Sequence, residues 1–507
     1  MNKWWSIVVL PAWLLLQALP ADARPGGGHS SHSSSSHGSS ASHGFSHSGS
    51  GWGAHDSFHS GSSSGSAHPM STWEALVVFI IIVVIILIIV RNQKSPRAFG
   101  AAPPDDYRIG RQASIGEQLK QLKQIDANFS PILFLDFVHS LYCKFYSYST
   151  KAEFGYLSPF LSSELQRHFE RSQPWTIDEI VVNGMRWLEV NAAGTDSDGI
   201  SIEIDANYTL DMQGQRSRYA VVERWRFYRR KGLLSAEPEK MRGLCCPQCG
   251  GPAQFTDVGI CGYCGAEVQK GDQQWCLGQR VVVNTQAQAA GDGLAAYAEE
   301  QGTERTTVKS GDLIEQINRW QQRYAIADWQ TYWQGFEREI VAPYFTTIYG
   351  AWSRRDWHAA RHLLSDRLYQ TNAFWQSRYV ERGWFNRLEQ LRIERMELAK
   401  IDTDRFYEAI TVRIFAVCND YTEDGAGKLV GGSKNNLRRF SEYWTWVRRA
   451  GNERQDKPYS LSQCPQCGAP ADNMGQSGEC GYCGGKISTG DFSWVLFLIE
   501  QDDVYAG

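Results

Sequence analysis

Apolar and polar residues alternate strictly in GISIEIDANYTLDM (199–212). This alternation is typical of an antiparallel strand with one buried face. RYAVVERWRFYRR (218–230) is the expected hairpin partner, and QQWCLGQRVVVNT (273–285) follows as a last strand. Upstream, FLDFVHSLYCKFYSYST (134–150) and SPFLSSELQRHFERS (158–172) space their apolar residues as amphipathic helices do. The pattern predicts two helices followed by an antiparallel sheet.

The same order of patterns recurs in the C-terminal part of the chain. Helix is predicted at 312–341, in one or two pieces, and at FTTIYGAWSRRDWHAARHLLS (345–365). Strands are predicted at LEQLRIERMELAKI (388–401), YEAITVRIFAVCNDY (407–421), RRFSEYWTWVRR (438–449) and FSWVLFLIEQ (492–501). Each half is therefore predicted to be an α+β unit, a helix pair packed on a curved antiparallel sheet.

Individual residues of the two halves also recur at a fixed distance. Residues 219 positions apart match in both halves: Glu223, Trp225, Arg229, Arg230, Cys261, Cys264 and Trp275 recur as Glu442, Trp444, Arg448, Arg449, Cys480, Cys483 and Trp494. Cys246 and Cys249 recur 218 positions later as Cys464 and Cys467. The repetition predicts an internal duplication.

The repeats set the predicted domain boundaries. The first α+β domain is expected at 112–284 and the second at 312–503, joined by an Ala/Gly/Gln/Thr-rich linker at 285–311. A cysteine-rich insertion lies between the last two strands of each domain, at 245–266 and at 463–486. Residues 92–111 contain three prolines and are predicted to be a tether.

The N-terminal region is predicted to contain a targeting signal and a membrane anchor. Residues 1–23 have a basic residue, an apolar stretch and an Ala-Asp-Ala cleavage pattern, as in a secretory signal peptide; an uncleaved first membrane helix is the alternative. Residues 24–71 are mostly Gly, Ser, His and Ala and are predicted to be disordered, either as a spacer or as a metal- or pH-responsive segment. Residues 72–91 include sixteen consecutive apolar residues and are predicted to be a transmembrane helix.

The basic residues orient this predicted helix. Arg91, Lys94 and Arg97 follow it, whereas no Lys or Arg occurs from Pro25 to Glu74. The positive-inside rule then places the C-terminal domains in the cytoplasm and the His-rich segment outside. The cysteines are therefore expected in a reducing compartment, where CxxC pairs favour metal binding over disulfides.

Two cysteine quartets are the candidate metal sites. Each has the pattern C-x2-C, a spacer of eleven or twelve residues and C-x2-C, formed by Cys246, Cys249, Cys261 and Cys264, and by Cys464, Cys467, Cys480 and Cys483. Four thiolates complete a tetrahedral site without an open position, so two structural zinc ions are the first interpretation. Rubredoxin-like iron and disulfide pairing remain alternatives.

The remaining candidates for chemistry are weaker. Asp136 and His139 are spaced for one helical face, as are His358 and His362. A packed histidine is the simpler interpretation for the first pair, and the second lacks the glutamate of HExxH. No catalytic residue is therefore assigned. The formal net charge of −4 gives no reason to expect nucleic-acid binding.

The second half resembles a known family of membrane scaffolds. The order of helices and strands, together with the D-W-x-x-A-R-x-x-L-S-D stretch from Asp356 to Asp366, resembles the C-terminal domain of mitochondrial inner-membrane translocase subunit 44. The resemblance covers roughly 312–500, and 112–283 more weakly. It implies a cone-shaped fold related to nuclear transport factor 2, with an apolar pocket for lipid or a partner chain. Similar bacterial members combine a signal, a Gly/Ser-rich segment, a membrane helix and this domain.

The duplication and the cysteine insertions depart from that family. The expected function is a single-pass bacterial inner-membrane scaffold that docks a protein partner or lipid, and not an enzyme. Two alternatives stay open. One is an isomerase or dehydratase using the pocket of the same cone fold, and the other is an envelope sensor that responds to metal or pH through the His-rich segment.

Overall fold

The computed structural model describes residues 105–288 and 302–507, apart from short gaps. The gaps fall at 149–150, 170–175, 193, 195, 242–243, 247, 250–253, 257–258, 269, 272–273, 452–463, 465, 471–478, 484, 503 and 506. The predicted signal peptide (1–23), His-rich segment (24–71) and transmembrane helix (72–91) lie outside the described residues. No helix in the described part of the chain is long and apolar enough to cross a membrane.

The first half consists of helices followed by a four-stranded antiparallel sheet. Its helices are α1 (Asp105–Ile125), α2 (Pro131–Ser147), α3 (Lys151–Gly155), α4 (Ser163–Phe169) and the short α5 (Pro238–Met241). Its strands are β1 (Thr176–Asn191), β2 (Ser197–Met212), β3 (Gln215–Arg230) and β4 (Cys276–Gln288), which pair in chain order. We call this sheet 1.

The second half repeats this order of helices followed by an antiparallel sheet. Its helices are α6 (Leu313–Tyr324), α7 (Trp329–Phe336), α8 (Ala342–Arg354) and α9 (Asp366–Glu381), with a π-turn at Glu337–Val341 and a 3-10 helix at Trp357–Leu363. Sheet 2 contains β5 (Phe385–Thr403), β6 (Tyr407–Glu423), β7 (Leu429–Gly432), β8 (Arg438–Arg449) and β9 (Val495–Gln501). Its order is β5-β6-β8-β9, with β7 paired to β6. The predicted α+β class with antiparallel sheets is confirmed.

Each sheet packs its inner face against a helix rich in aromatic residues. In the first half, Trp225 and Phe227 of β3 are fully buried beneath α2. In the second half, Trp444 and Trp446 of β8 are fully buried beneath α8. α2 begins where Ser130 accepts a hydrogen bond from the Leu133 amide and a proline occupies the first turn, which is a favourable helix start.

Strand β2 is buried on both faces, and not on one face as its alternation predicts. Ile200, Ile202 and Ile204 lie in the core, but Glu203 is also only 5% exposed. Glu203 is covered because arginines of the neighbouring strands fold over it and form ion pairs with it. A central strand can therefore bury a polar face beneath its neighbours' long side chains.

The two halves pack against each other within one compact unit that spans Tyr107–Gly507. Phe406 and Tyr407, at the β5–β6 turn, join the apolar core of the first half. Thr371 of α9 donates a hydrogen bond to the Val182 carbonyl of β1 at 3.0 Å. The pairing of these elements gives the halves a fixed mutual arrangement.

Among the described elements, β1 and α9, like α1 and β7, have no counterpart in the sequence prediction. β1 carries three register shifts against β2, and each shift breaks the alternation that would reveal a strand. α9 buries polar as well as apolar side chains, including Arg367, Asn372 and Arg378, so its sequence lacks a clear apolar stripe.

Two elements also extend across predicted boundaries. α1 begins at Asp105, inside the predicted tether (92–111), directly after two prolines that suit the entry to a helix. β4 ends at Gln288, inside the predicted linker (285–311), because pairing with β3 continues that far.

Candidate metal centres and buried ionic clusters

The four cysteines of each quartet come together in space. The Sγ atoms of Cys246 and Cys264 lie 3.9 Å apart, as do those of Cys249 and Cys261. In the second quartet, Cys464 and Cys483 are 3.8 Å apart, and Cys467 and Cys480 are 3.9 Å apart. Within each quartet all four sulfur atoms lie within 4.8 Å of one another.

These distances fit a tetrahedral metal site. Metal–sulfur bonds of about 2.3 Å at tetrahedral angles place sulfur atoms about 3.8 Å apart. A disulfide would place them about 2.05 Å apart, and all eight cysteines are free. The thiolate geometry can hold zinc or rubredoxin-like iron, and it leaves no coordination position for a substrate.

The backbone of each CxxC turn, which we call a knuckle, favours the thiolate form of its cysteines. Gly468 has a φ of 74°, a conformation that suits glycine, and its amide donates to the Cys464 carbonyl at 2.8 Å. In the other knuckle of this quartet, the backbone amides of Tyr482 and Cys483 lower the pKa of Cys480 to about 7. Amides directed at sulfur stabilise the charged ligand that a metal requires.

Each cysteine-rich insertion (245–266 and 463–486), which we call a ribbon, is attached to its own half by polar and aromatic contacts. In the first, Ser158 donates to the Thr256 carbonyl at 3.1 Å, and Phe160 meets Phe255 edge-on with ring centroids 6.1 Å apart. In the second, Ser488 donates to Asp366 at 2.6 Å, and Lys486 forms an ion pair with the same carboxylate. The ribbons are thus fixed to the domain and are not free appendages.

The repeated arginine and tryptophan stack on each other in both halves. The guanidinium of Arg229 lies 4.5 Å from the ring centre of Trp275, and Arg448 lies 4.5 Å from Trp494. Asp126 pairs with Arg229 at 2.8 Å, and Glu408 pairs with Arg448 at 2.9 Å. Trp275 and Trp494 follow the last cysteine of their ribbons, so a buried ionic cluster adjoins the ribbon in each half.

The repeated glutamates form a second matched cluster. Glu223 accepts from the indole of Trp225 at 2.7 Å and from the hydroxyl of Tyr146, and it pairs with Arg280 at 2.9 Å. Burial, then the nearby Glu223 charge, raises the pKa of Tyr146 well above its usual range, so Tyr146 stays a donor.

In the second half, Glu442 takes the same place. It accepts from Trp444 at 2.8 Å, from Tyr349 at 2.5 Å and from Gln501 at 3.1 Å. Gln501 is therefore the third partner of Glu442, as Arg280 is of Glu223, although by strand register Gln501 corresponds to Val282. A buried carboxylate is fixed by a tryptophan and a tyrosine in both halves, but the third partner differs in charge.

The tyrosines of these clusters were missed by the sequence comparison because they recur at another distance. Tyr146 and Tyr349 are 203 positions apart, as are Ser162 and Ser365. Both serines accept a hydrogen bond from an amide of the next helix and donate one to a carbonyl of the last strand. A search at an offset of 203 would have found them.

The three candidate histidines lie in different environments. Burial, and then the charge of Arg367, lowers the pKa of His139 to about 3, and its Nε2 lies 3.8 Å from the Cys143 sulfur. His358 is exposed, whereas His362 is buried, and burial lowers its pKa to about 4. The predicted shared face of these two is wrong because they lie on a 3-10 helix with three residues per turn.

Comparisons with known proteins find a family match over part of the chain. Residues 333–466 match the family described as Tim44-like domain. A solved structure described as an Ntf2 like protein involved in plasmid conjugation aligns with 71% of this chain and 92% of its own, at 8% identity and a TM-score of 0.18. No curated protein matches the chain. The part from Trp333 to Gln466 is thus similar to the Tim44-like domain, as the resemblance in the sequence suggested.

Proposed function

We propose that this chain is a single-pass scaffold of a bacterial inner membrane, whose cytoplasmic part docks a protein partner. The match of residues 333–466 to the Tim44-like domain supports a translocase-associated or scaffold role. The apolar stretch at 72–91 and the basic residues that follow it support the anchor and its orientation.

The cytoplasmic part is a duplicated α+β unit, each copy stapled by one structural zinc ion. The matched Arg–Trp stacks and Glu–Trp–Tyr clusters at constant offsets support the duplication. The convergence of four sulfur atoms at 3.8–3.9 Å contacts is the observation that carries the zinc assignment. Zinc would bind the four thiolates of each quartet and hold the long hairpin between the last two strands.

A protein partner is a better fit than a lipid held inside the cones. The ring centroid of Trp225 lies 5.1 Å from that of Tyr142 and 5.3 Å from that of Phe145. These rings fill the space between sheet 1 and α2. Trp444 lies 5.5 Å from Phe345 in the second half. Because these rings are in contact, an acyl chain could enter only by displacing them, and this displacement would cost packing energy.

The test combines metal analysis with crosslinking. Full-length protein purified in detergent should contain two zinc ions per chain, and crosslinking in intact membranes should capture a protein on the cytoplasmic side. Iron in place of zinc would overturn the zinc assignment, and far fewer than two metal ions would overturn the proposal that a metal staples each domain. Crosslinks confined to extracytoplasmic proteins would overturn the docking function and its orientation.

A further inference from the structure

The outer faces of the two sheets, which point away from α2 and α8, carry different residues at equivalent positions. Across sheet 1, directly paired residues form the row Arg186, Glu203, Arg224 and Val281. The equivalent row of sheet 2 is Glu397, Arg413, Tyr443 and Glu500. The inner faces match closely, so the contrast between these rows marks a difference of surface and not of fold.

The outer face of sheet 2 is covered by a segment of the chain itself. Arg413, which is 1% exposed, donates to the carbonyls of Arg305 at 2.8 Å and Gly302 at 2.9 Å. The Val308 amide donates to the Tyr443 hydroxyl at 2.8 Å. The outer face of sheet 2 therefore binds residues 302–310 through backbone and side-chain contacts.

The end of the chain completes this cover with an acidic and an aromatic residue. Asp502 pairs with Arg413 at 3.0 Å. The ring of Tyr505 stacks on Tyr443 with centroids 3.8 Å apart and planes 13° apart, against Ala399 and Val308. An Asp-x-x-Tyr segment is thus seated on the outer face of sheet 2.

Sheet 1 has a cavity of about 390 Å³ at the equivalent place. Its lining includes Leu188 and Arg224, which occupy the positions of Ala399 and Tyr443. The other lining residues are Glu189, Ser201, Trp225, Arg226, Gln279 and Val281. The side chain of Arg224 is 54% exposed and Val281 is 45% exposed. No described residue of this chain fills the place that Tyr505 fills on sheet 2.

The charge of this face favours an acidic occupant. Glu203 forms ion pairs with Arg186 and with Arg224, the latter at 2.9 Å. The row and the cavity lining together contain three arginines and two glutamates, Glu203 and Glu189, so their net charge is positive. Arg226 is exposed and forms no ion pair with any described carboxylate. Guanidinium groups bind carboxylates and stack on aromatic rings, so Arg224 can replace Tyr443 as a platform for a ring.

The edge strand beside the cavity adds apolar contact area. Val281, Val282 and Val283 of β4 are each 45–46% exposed, and β4 is the last strand of sheet 1. An edge strand with exposed β-branched residues can bind an extended chain. The cavity and the edge together form one surface, which we call the β4 surface.

We propose that the β4 surface docks an acidic segment of a partner protein that places an aromatic side chain in the cavity, as the turn at Asp502–Tyr505 does on sheet 2. The segment binds as Asp502 and Tyr505 bind on sheet 2, with Arg224 and Arg226 holding its carboxylates. The inference deepens the docking function proposed above and rests on it. It names the face that binds and the chemistry of the bound segment.

The test uses a fluorescein-labelled peptide with the sequence of residues 501–507, QDDVYAG, and full-length protein in detergent. Saturable binding is expected by fluorescence anisotropy, and Arg226→Glu should raise the Kd about tenfold or more because it reverses a charge at the site. Peptides with Asp→Asn or Tyr→Ala changes should bind about tenfold more weakly. Arg439→Glu, the same charge change on a 71% exposed side chain of sheet 2, should leave the Kd unchanged.

A second variant separates the two kinds of contact. Arg224→Tyr copies sheet 2, and it should keep the dependence on the peptide tyrosine while weakening the dependence on its aspartates. Equal melting temperature and zinc content of all variants exclude misfolding as the cause of lost binding.

Absence of binding to correctly folded wild-type protein, or binding that Arg226→Glu and Arg439→Glu affect equally, would overturn the β4 surface. Self-association of the protein that Arg226→Glu abolishes would also overturn it, in favour of a second copy of the chain. If crosslinking still captures a cytoplasmic partner in either case, the docking function survives and only this surface fails.

Discussion

The two halves of the molecule agree inside and differ outside. Both place a tryptophan and a tyrosine on a buried glutamate and stack a buried arginine on the tryptophan that follows the cysteines. On the outer faces, Arg224 and Val281 stand where the other half has Tyr443 and Glu500. Interior positions are fixed by packing and buried charge, whereas exposed positions are free to acquire different partners.

The largest expected effect tests whether the two ribbons are equivalent. Cys246→Ser and Cys464→Ser each remove one ligand, so each variant should lose one of two zinc ions and several kcal/mol of stability, since structural zinc sites contribute on the order of 10 kcal/mol to folding. Metal content and thermal unfolding of the full-length protein measure both quantities.

Cys245→Ser is the matched control, because Cys245 adjoins Cys246 but lies outside the cluster of four sulfur atoms. It should retain both ions. Loss of zinc in this control, or retention of both ions in Cys246→Ser, would contradict the assignment of the first quartet.

The next effect compares the two Arg–Trp stacks. Arg229→Met leaves Asp126 as a buried carboxylate without its cation, which should cost about 3–5 kcal/mol. Arg448→Met should cost about half as much, because Glu408 keeps a second cation, Arg323, at 3.1 Å. Chemical unfolding of the two variants under identical conditions measures the difference.

The neighbouring Arg230 is exposed, so Arg230→Met should change stability by less than about 0.5 kcal/mol. Equal losses for Arg229→Met and Arg448→Met would show that the stack on tryptophan, and not the carboxylate, decides the cost.

A smaller effect, an increase in stability instead of a loss, tests the contrast between Val281 and Glu500. Burial raises the pKa of Glu500 to about 7, against the favourable charges of Arg367 and Lys400. The folded state then holds a proton that the unfolded chain has released, so this contribution is complete below about pH 4.5 and is lost as the pH rises to about 7.

Glu500→Gln should therefore raise stability at pH 8 relative to wild type, by at most about 3 kcal/mol, and have little effect at pH 4. Glu397→Gln is a control, since the nearby groups hold the pKa of Glu397 below its usual range and the substitution should not stabilise the protein at pH 8. A flat difference between Glu500→Gln and wild type across this pH range would contradict the shifted pKa.

The sequence repeat revealed only some of the residues that form the buried clusters. Arg229, Cys261, Cys264 and Trp275 recur at an offset of 219, and Cys246 and Cys249 at 218, because they share one block of chain, from β3 to the last strand. Tyr146 and Ser162 recur at 203, because α9 is longer than α4 and because the connection from β6 to β8, which contains β7, is longer than the β2–β3 turn. A single offset could not connect the helical and sheet parts of the repeat.

The outer faces could not be predicted because they do not repeat. Nothing in the spacing of residues 302–310 indicates that they lie across sheet 2, since backbone carbonyls and amides make the contacts at Gly302, Arg305 and Val308. The C-terminal contacts depend on two side chains, Asp502 and Tyr505, which are too few to form a pattern. The cavity on sheet 1 is visible only when its lining is compared with the filled place on sheet 2. β1 was missed for a related reason, as its register shifts disguise its period.

The smallest expected effect returns to a contact that both halves share. Ser162 and Ser365 cap α4 and α9 and donate to carbonyls of the edge strands, so Ser162→Ala and Ser365→Ala should each cost about 1 kcal/mol. Ser365→Ala should cost more, because Ser365 is only 5% exposed and its loss leaves buried polar groups unsatisfied. Ser→Thr keeps the hydroxyl and should recover most of the loss in both. Thermal unfolding of the four variants would contradict the shared role if only one half responded.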